Sequence, residues 1–406
     1  MRIRSYRALR PVPELASRIS SLPYDVVSTA ESRALVDGNP DSMLRIARSD
    51  LEFPDDVDPY SPAVYARAKE NWDCLIREQR LVKESTPSLY VYRQQMGQHV
   101  QTGVAALCHV DDYDADLIKK HEKTRKDKED DRVRHTGTLS ANPGPVFLTY
   151  KGQAAIDALV AEATAGGSPL IDFVAHTGVR HSVWRVAAPD ALVAAFAAVP
   201  CTYIADGHHR AASAARVARE RRSANPQHTG DEDYNWFLTV LFPAAQLRIL
   251  PYNRLVVDLN GRSPEQFLSE LGALGPLAPA GSADPARPGD VRVYLAGRWH
   301  AITLTPSPSA DPVSRLDVSM LQDRVLAPLL AIDDPRTSKR IDFVGGIRGT
   351  QYLEDAVNSG RAQVAFSMHA VTIQQLIDIA DAGQIMPPKS TWFEPKLLDG
   401  LFMHTF

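Results

Sequence analysis

The feature that most constrains the fold is a short apolar strand that runs directly into a glycine turn and a long alanine-rich helix. The strand is predicted over residues 202 to 205, and the helix follows the glycine. A glycine at this point permits both a tight reversal and a close approach of the backbone to a ligand. The turn and the start of the helix consist of Asp206, Gly207, His208, His209 and Arg210.

This turn has the composition of an anion-binding site. The first N–H groups of a helix lack partners within the helix, and the helix dipole is positive at that end. Arg210 adds a planar guanidinium that suits phosphate. The alternative is a helix that Asp206 merely caps, with both histidines packed or solvated. Histidine and arginine in a first helical turn oppose the dipole, however, and a bound anion would offset that cost.

Length and pattern predict a mixed α/β (α+β) protein of several parts. At 406 residues the chain exceeds what one core usually accommodates. Strand patterns such as Val146–Tyr150 alternate with helix patterns such as Ala154–Ala165, which favours layered sheets and helices. We predict an N-terminal cap or lid region over 1–85, a central phosphate-binding α/β domain with a mixed sheet over 86–262, and a C-terminal α/β domain over 263–406. Residues 248–257 are expected to add a strand that closes the central domain.

Charge and cysteine content exclude several classes. The formal net charge is -4, so the overall balance does not attract nucleic acid or an anionic membrane. Three scattered cysteines do not form a disulfide framework, and we expect a reducing, cytoplasmic location. No apolar run reaches the roughly 18 residues that span a bilayer, so no membrane partner is expected.

A second candidate is the charged segment from Lys119 to His135. A helix over roughly 113 to 135 would place its cations on one face, as a stripe next to carboxylates. Spacings of four residues between opposite charges are equally typical of an ordinary solvated helix. The stripe would consist of His121, Arg125, Lys128, Arg132 and His135.

Two weaker signals carry chemistry-capable residues in unusual surroundings. Asp25 lies within the apolar turn Leu22–Ser28, and Met386–Lys396 combines prolines with a lysine near the C-terminus. Asp25 could equally be a structural residue that accepts backbone N–H groups. No Walker loop, dinucleotide glycine pattern, Gly-x-Ser-x-Gly or His-Glu-x-x-His motif occurs. The adjacent histidines 208 and 209 point in different directions and suit a metal poorly.

Five segments in combination resemble the prokaryotic family known as domain of unknown function 1015. They span essentially the whole chain, although the family itself implies little about activity. The segments are Arg7–Pro11, Leu22–Val26, Lys119–Thr124, Asp206–Arg210 and Met386–Lys396.

The turn alone resembles the phosphate-binding turn of the ParB and sulfiredoxin superfamily, particularly its free serine kinases. In that superfamily the turn holds nucleotide phosphates at a helix N-terminus. Sulfiredoxin has a reactive cysteine where this chain has His208, so reductase chemistry of that kind is disfavoured. The DNA-reading domain of ParB proteins has no clear basic counterpart here.

The resemblance implies a kinase that uses ATP or ADP with Mg2+ to phosphorylate a small hydroxylated metabolite, with free serine as the first guess. Residues 207 to 210 would hold phosphates, and His121, Arg125, Lys126 or Arg132 would add positive charge. Asp25 or Glu122 would be the base, and Asp206 or Asp127 would hold magnesium. The alternatives are a non-catalytic nucleotide or phosphometabolite sensor and, third, nucleic-acid binding through the stripe.

Overall fold

The computed structural model describes all 406 residues, which form two compact units. The first unit contains Met1–Lys120, Thr124–Leu247 and Pro395–Phe406, and the second contains His121–Lys123 and Arg248–Glu394. Each unit has its own sheet and its own helices. The predicted mixed α/β class is therefore confirmed, while the division of the chain into three parts stays a prediction.

The chain forms twenty-one strands. In chain order they are β1 Ile3–Arg4, β2 Leu9–Pro11, β3 Leu81–Lys83, β4 Tyr90–Met96, β5 His99–His109, β6 Ile118–Lys119, β7 Ala141–Asn142, β8 Val146–Tyr150, β9 Ile171–Val174, β10 Arg180–Arg185, β11 Thr202–Asp206, β12 Trp236–Pro243, β13 Ile249–Leu250, β14 Tyr252–Val256, β15 Leu277–Pro279, β16 Asp290–Leu295, β17 Arg298–Thr303, β18 Ile341–Gly345, β19 Val364–Met368, β20 Trp392–Phe393 and β21 His404–Thr405.

The α-helices number thirteen. They are α1 Ala16–Ile19, α2 Thr29–Val36, α3 Leu44–Ala47, α4 Pro62–Arg77, α5 Val110–Asp114, α6 Lys126–Leu139, α7 Ala154–Ala165, α8 Pro189–Ala197, α9 His208–Ala224, α10 Pro264–Gly272, α11 Asp317–Leu321, α12 Gln351–Asn358 and α13 Ile373–Asp381. A π-helical turn, Gln322–Leu326, continues α11. None of these helices is both long enough and apolar enough to cross a bilayer.

The first unit is built on a nine-stranded mixed sheet. Its order is β6-β11-β8-β12-β5-β4-β10-β9, and β1 pairs with β5. The pairs β11–β6 and β12–β8 are parallel, and the others are antiparallel. The central strands are buried almost throughout, which is why they read as continuous apolar runs. This arrangement places the end of β11 inside the sheet, beside β8.

Alanines let helix α9 lie close to this sheet. Ala211, Ala214, Ala215 and Ala218 recur at helical spacing, and all four belong to the same buried core as the strands. Phe196 of α8 is fully buried in that core too. Helices α7, α8 and α9 thereby cover the sheet, and the start of α9 is fixed where β11 ends.

The second unit is built on an antiparallel sheet of six strands in the order β15-β17-β16-β19-β14-β18. Its core joins strand residues such as Leu255 to Leu353 and Ala356 of α12. The short pair β13–β20 belongs to the same unit. Tyr252–Val256 therefore pairs with β18 and β19 of this sheet, and our expectation that it closes the central domain is wrong.

The expected helix over roughly 113 to 135 is wrong as well. Helix α5 ends at Asp114, Asp116 adopts a left-handed conformation, and α6 begins only at Lys126. Between the two helices, Ile118 pairs with Thr202 of β11 and is completely buried. The burial of this isoleucine in the sheet outweighs the helical preference of the charged residues around it.

Candidate functional site

The candidate site lies within the first unit, at the turn between β11 and α9. Gly207 has a φ of 93°, a left-handed conformation that favours glycine. Its N–H donates to Oδ1 of Asp206 at 2.8 Å. Helix α9 has no side-chain cap, so Asp206 serves the turn and does not cap the helix. The N-terminus of α9 therefore keeps the geometry that favours an anion.

The other carboxylate oxygen of Asp206 is paired with a lysine from the far end of the chain. Nζ of Lys396 lies 2.8 Å from Oδ2 of Asp206, and only 8% of the lysine side chain is exposed. Burial would raise the pKa of Asp206, but the Lys396 ammonium and the Arg210 guanidinium outweigh it and hold that pKa well below its usual range. Asp206 is consequently ionised throughout the physiological range.

Arg210 is a largely buried cation surrounded by acceptors, with 14% of its side chain exposed. Its Nη1 donates to the carbonyl of Pro145 at 2.6 Å and lies 3.4 Å from Oδ1 of Asp399. Its Nη2 lies 4.0 Å from Oδ1 of Asp25. Burial disfavours the charged form, yet Asp399, Asp25 and Asp206 more than compensate and raise the pKa of the guanidinium. Arg210 therefore links one deeply buried carboxylate to one that solvent can reach.

The two carboxylates next to Arg210 differ in accessibility. The side chain of Asp25 is 42% exposed, whereas that of Asp399 is 4% exposed. Burial raises the pKa of Asp399, and Arg210 opposes this only in part. Asp25 is thus the member of the pair that a substrate could contact directly.

Arg132 packs against Tyr24, the residue that precedes Asp25 in the sequence. Its guanidinium lies 4.2 Å from the ring centre of Tyr24, in cation–π geometry. Its Nε donates to Oδ2 of Asp131 at 2.8 Å, and the hydroxyl of Tyr65 donates to Oδ1 of the same carboxylate at 2.8 Å. The carboxylate of Asp131 therefore holds both Arg132 and Tyr65.

Arg132, Arg210 and Asp399 line a small, partly open cavity of about 30 Å3, enough for one or two water molecules. Oδ1 of Asp399 is buried beside it without a hydrogen bond. A Cβ at position 144 would lie 1.8 Å from that oxygen, so Gly144 is required for Asp399 to occupy its place. The lining residues are Tyr24, Ala47, Arg132, His135, Thr136, Asn142, Pro143, Gly144, Arg210, Ser213 and Asp399.

The start of α6 meets the turn through one hydrogen bond. The backbone N–H of Arg125 donates to Nε2 of His209 at 3.1 Å. The Arg125 side chain pairs with Asp127 at 2.8 Å, and Lys126 is 91% exposed. The structure therefore brings the start of the charged segment beside the turn, as an exposed group of charges.

The single-face stripe that we predicted does not form. His121 and Glu122 belong to the second unit, where the carbonyl of His121 accepts the N–H of Met386 at 2.8 Å. Arg132 and His135 lie on the buried side of α6, while Arg125 precedes the helix. His135 uses Nε2 to donate to the carbonyl of Ile46 at 2.8 Å, and burial lowers its pKa to about 4.

The residues that we assigned to magnesium are already occupied by cations. Asp206 is bonded to Lys396, and Asp127 to Arg125. No group of three or more His, Cys, Asp or Glu side chains is placed to hold a metal ion. Magnesium is usually bound by one or two carboxylates together with substrate phosphates and water. Both predicted carboxylates are paired with a cation instead, so they do not form a ready-made magnesium site.

Sequence reasoning missed Asp399 and Asp131 and gave Lys396 no role. A signal for Asp399 exists: it lies between Leu397–Leu398 and Leu401–Phe402, an acidic residue within an apolar run. The same signal singled out Asp25. Asp131, in contrast, lies among other charges and has no distinguishing sequence pattern.

The chain belongs to the family described as Protein of unknown function (DUF1015), which matches residues 3–319. No curated protein matches the sequence.

Three solved structures are distantly similar. A free serine kinase in complex with AMP is 11% identical, with 71% of this chain and 86% of that chain covered and a TM-score of 0.36. A conserved hypothetical protein from Pyrococcus furiosus is 12% identical, with 73% and 93% covered and a TM-score of 0.37. SbnI from Staphylococcus aureus, truncated at its C-terminus, is 11% identical, with 73% and 85% covered and a TM-score of 0.38.

Proposed function

We propose that the protein is a nucleotide-dependent kinase that phosphorylates a small hydroxylated metabolite, with free L-serine, giving O-phosphoserine, as the first acceptor to test. One observation supports the proposal most strongly. The start of α9 has no side-chain cap, and Arg210 beside it lies between the accessible carboxylate of Asp25 and the buried carboxylate of Asp399. The resemblance of the turn to that of free serine kinases supports the same reaction. The cysteines are all free, which agrees with a cytoplasmic location.

The phosphates of ATP or ADP would bind at the turn. Backbone N–H groups at a helix N-terminus suit phosphate oxygens, and the left-handed Gly207 brings the backbone close to them. His208 and His209 would add donors, and the exposed cations Arg125 and Lys126 lie at the segment that contacts His209. Asp131 holds Arg132 in place, so we propose that Arg132 positions Tyr24 and the charged residues next to it.

The acceptor hydroxyl would bind next to Asp25. Phosphoryl transfer needs a carboxylate close to the attacking oxygen and positive charge close to the transferred group. Asp25 is accessible and lies beside Arg210, so both requirements meet at one point. Glu122 stays the alternative base. Because Asp206 and Asp127 do not fit a magnesium site, we assign no step to a metal that the protein itself holds.

The proposal is tested by calorimetry with ATP and ADP, followed by phosphorus spectroscopy on mixtures with serine and other hydroxylated metabolites. A kinase gives a phosphomonoester signal that depends on both nucleotide and acceptor. Nucleotide binding without product for any acceptor would favour the sensor instead. Binding of nucleic acid with a steep salt dependence, in place of nucleotide binding, would contradict both.

A further inference from the structure

Two glutamines lie in the interior of the large sheet of the first unit. Gln94 of β4 and Gln101 of β5 are directly opposite each other and are both 0% exposed. A buried amide is costly unless it is hydrogen-bonded. Nε2 of Gln101 donates to Oε1 of Gln94 at 2.8 Å, which satisfies one side of the pair.

The amide nitrogen of Gln94 bonds to the C-terminal segment of the chain. Nε2 of Gln94 donates at 2.8 Å to the carbonyl of Lys396, a residue 302 positions further along the chain. The Gln101 amide therefore orients the Gln94 amide, which in turn orients the carbonyl of Lys396. Their effect is to fix the main chain at Lys396 relative to the sheet.

From this anchored position the lysine side chain extends to the turn. Its Nζ meets Oδ2 of Asp206 at 2.8 Å, and Oδ1 of the same carboxylate accepts the N–H of Gly207. One carboxylate thus separates the ammonium from the backbone of the turn. A lysine ammonium is a compact charge that commonly binds phosphate.

Resting on the proposed function, we propose that Lys396 is a further phosphate-binding residue of the α9 turn and that the Gln94–Gln101 pair positions it. Asp206 then holds the ammonium at the turn when no nucleotide is bound. On nucleotide binding the same ammonium bridges Asp206 and a phosphate oxygen. This role explains why two amide side chains are fully buried within the sheet.

The role of Lys396 is tested by the substitution Lys396→Met, with ADP as the probe. We expect ADP to bind about tenfold more weakly, the loss of one charge-assisted hydrogen bond. The matched control is Lys69→Met, which removes an exposed lysine of α4 that pairs only with Asp73 four residues away. Equal ADP affinity in Lys396→Met and the control would overturn the role of the lysine.

The role of the glutamines is tested by the double variant Gln94→Leu/Gln101→Leu. Replacing both partners of a buried hydrogen bond by apolar groups is close to neutral for folding, but here the carbonyl of Lys396 also loses its donor, so the melting temperature is measured first to show that the variant is folded. We expect an amine-reactive reagent to label Lys396 several-fold faster, as measured by mass spectrometry of its peptide, and ADP to bind more weakly. Gln227→Leu, at an exposed position, is the control.

The proposed function and the positioning of Lys396 are contradicted by different results. A wild-type chain that binds neither ATP nor ADP contradicts the proposed function, whereas the labelling rate of Lys396 depends only on the geometry of the free protein. Wild-type labelling in the folded double variant would overturn the positioning of Lys396 whether or not nucleotide binds. Faster labelling together with weaker ADP binding supports both parts of the inference.

Discussion

The first unit contains two charged regions that meet at His209 and differ in construction. At the start of α6 the charges are exposed and pair with near neighbours, as Arg125 does with Asp127. At the turn they are buried and pair with residues far away in the sequence, as Lys396 does with Asp206. Both regions contain arginine, lysine and aspartate.

The contrast teaches that position, and not the number of charges, decides what such a group can do. Exposed pairs are screened by water and contribute little. Buried pairs interact strongly, and the loss of one partner leaves an uncompensated charge in the interior. The buried region is therefore suited to hold a fixed geometry for chemistry, and the exposed region to attract an anion.

The largest effect is expected from Asp25, the most exposed carboxylate of the buried region. Asp25→Asn retains the shape and the hydrogen-bond acceptors but cannot take a proton at neutral pH. Turnover should fall about 100-fold to 10,000-fold, the contribution of a positioned general base, while ADP affinity is retained. Product formation, ADP affinity and melting temperature are measured on one preparation; full turnover would remove Asp25 as the base and turn attention to Glu122.

Next in size is Arg210→Ala, which leaves the buried Asp399 without its cation. The expected loss of folding free energy is about 3 to 5 kcal/mol, as for one partner removed from a buried pair. ADP affinity should fall by roughly 1.5 to 3 kcal/mol in addition. Urea unfolding and calorimetry measure the two losses. Arg219→Ala, which breaks only an exposed pair with Asp114, is the control, and an equal loss there would break the comparison.

Low pH should lower the free energy of unfolding, because His135 is buried in the folded protein. Its pKa is lowered to about 4 in the folded protein, against an ordinary value near 6.5, because the ring is buried. The unfolded chain thus binds the proton more readily, and stability that is present above pH 6.5 is lost as the pH falls toward 4. The contribution is about 3 kcal/mol. Urea unfolding at several pH values should show a shallower decline in His135→Gln, whereas parallel pH profiles would contradict this account.

The smallest effect is expected from Arg125→Gln in the exposed region. The substitution removes the pair with Asp127 but leaves the backbone N–H that donates to His209. Stability should change by at most about 0.5 kcal/mol. A loss above 1 kcal/mol in urea unfolding would show that this region is more than a surface group of charges, and would remove the distinction between the two regions.

Local structure was predictable where the pattern within a segment decides it. The strand Val146–Tyr150 and the helix Ala154–Ala165 have the predicted bounds, and the turn at Gly207 follows β11 as expected. Apolar periodicity and glycine placement act over a few residues, so the sequence displays them directly.

The pairings within the site could not be predicted in the same way. Lys396 and Asp206 are 190 residues apart, and Gln94 and Lys396 are 302 apart. Only the folded chain brings such residues together, and a single sequence contains no signal of their contact. The strand at Ile118 illustrates the same limit, because its place in the sheet depends on Thr202 and not on its charged neighbours.

The division of the first unit along the chain has a consequence for synthesis on the ribosome. Lys396 and Asp399 follow the whole of Arg248–Glu394, the main segment of the second unit. While that segment is being translated, Arg210 still lacks Asp399 and Asp206 still lacks Lys396, the partners that follow the segment. The charged site is therefore completed only after this segment of about 150 residues has been synthesised.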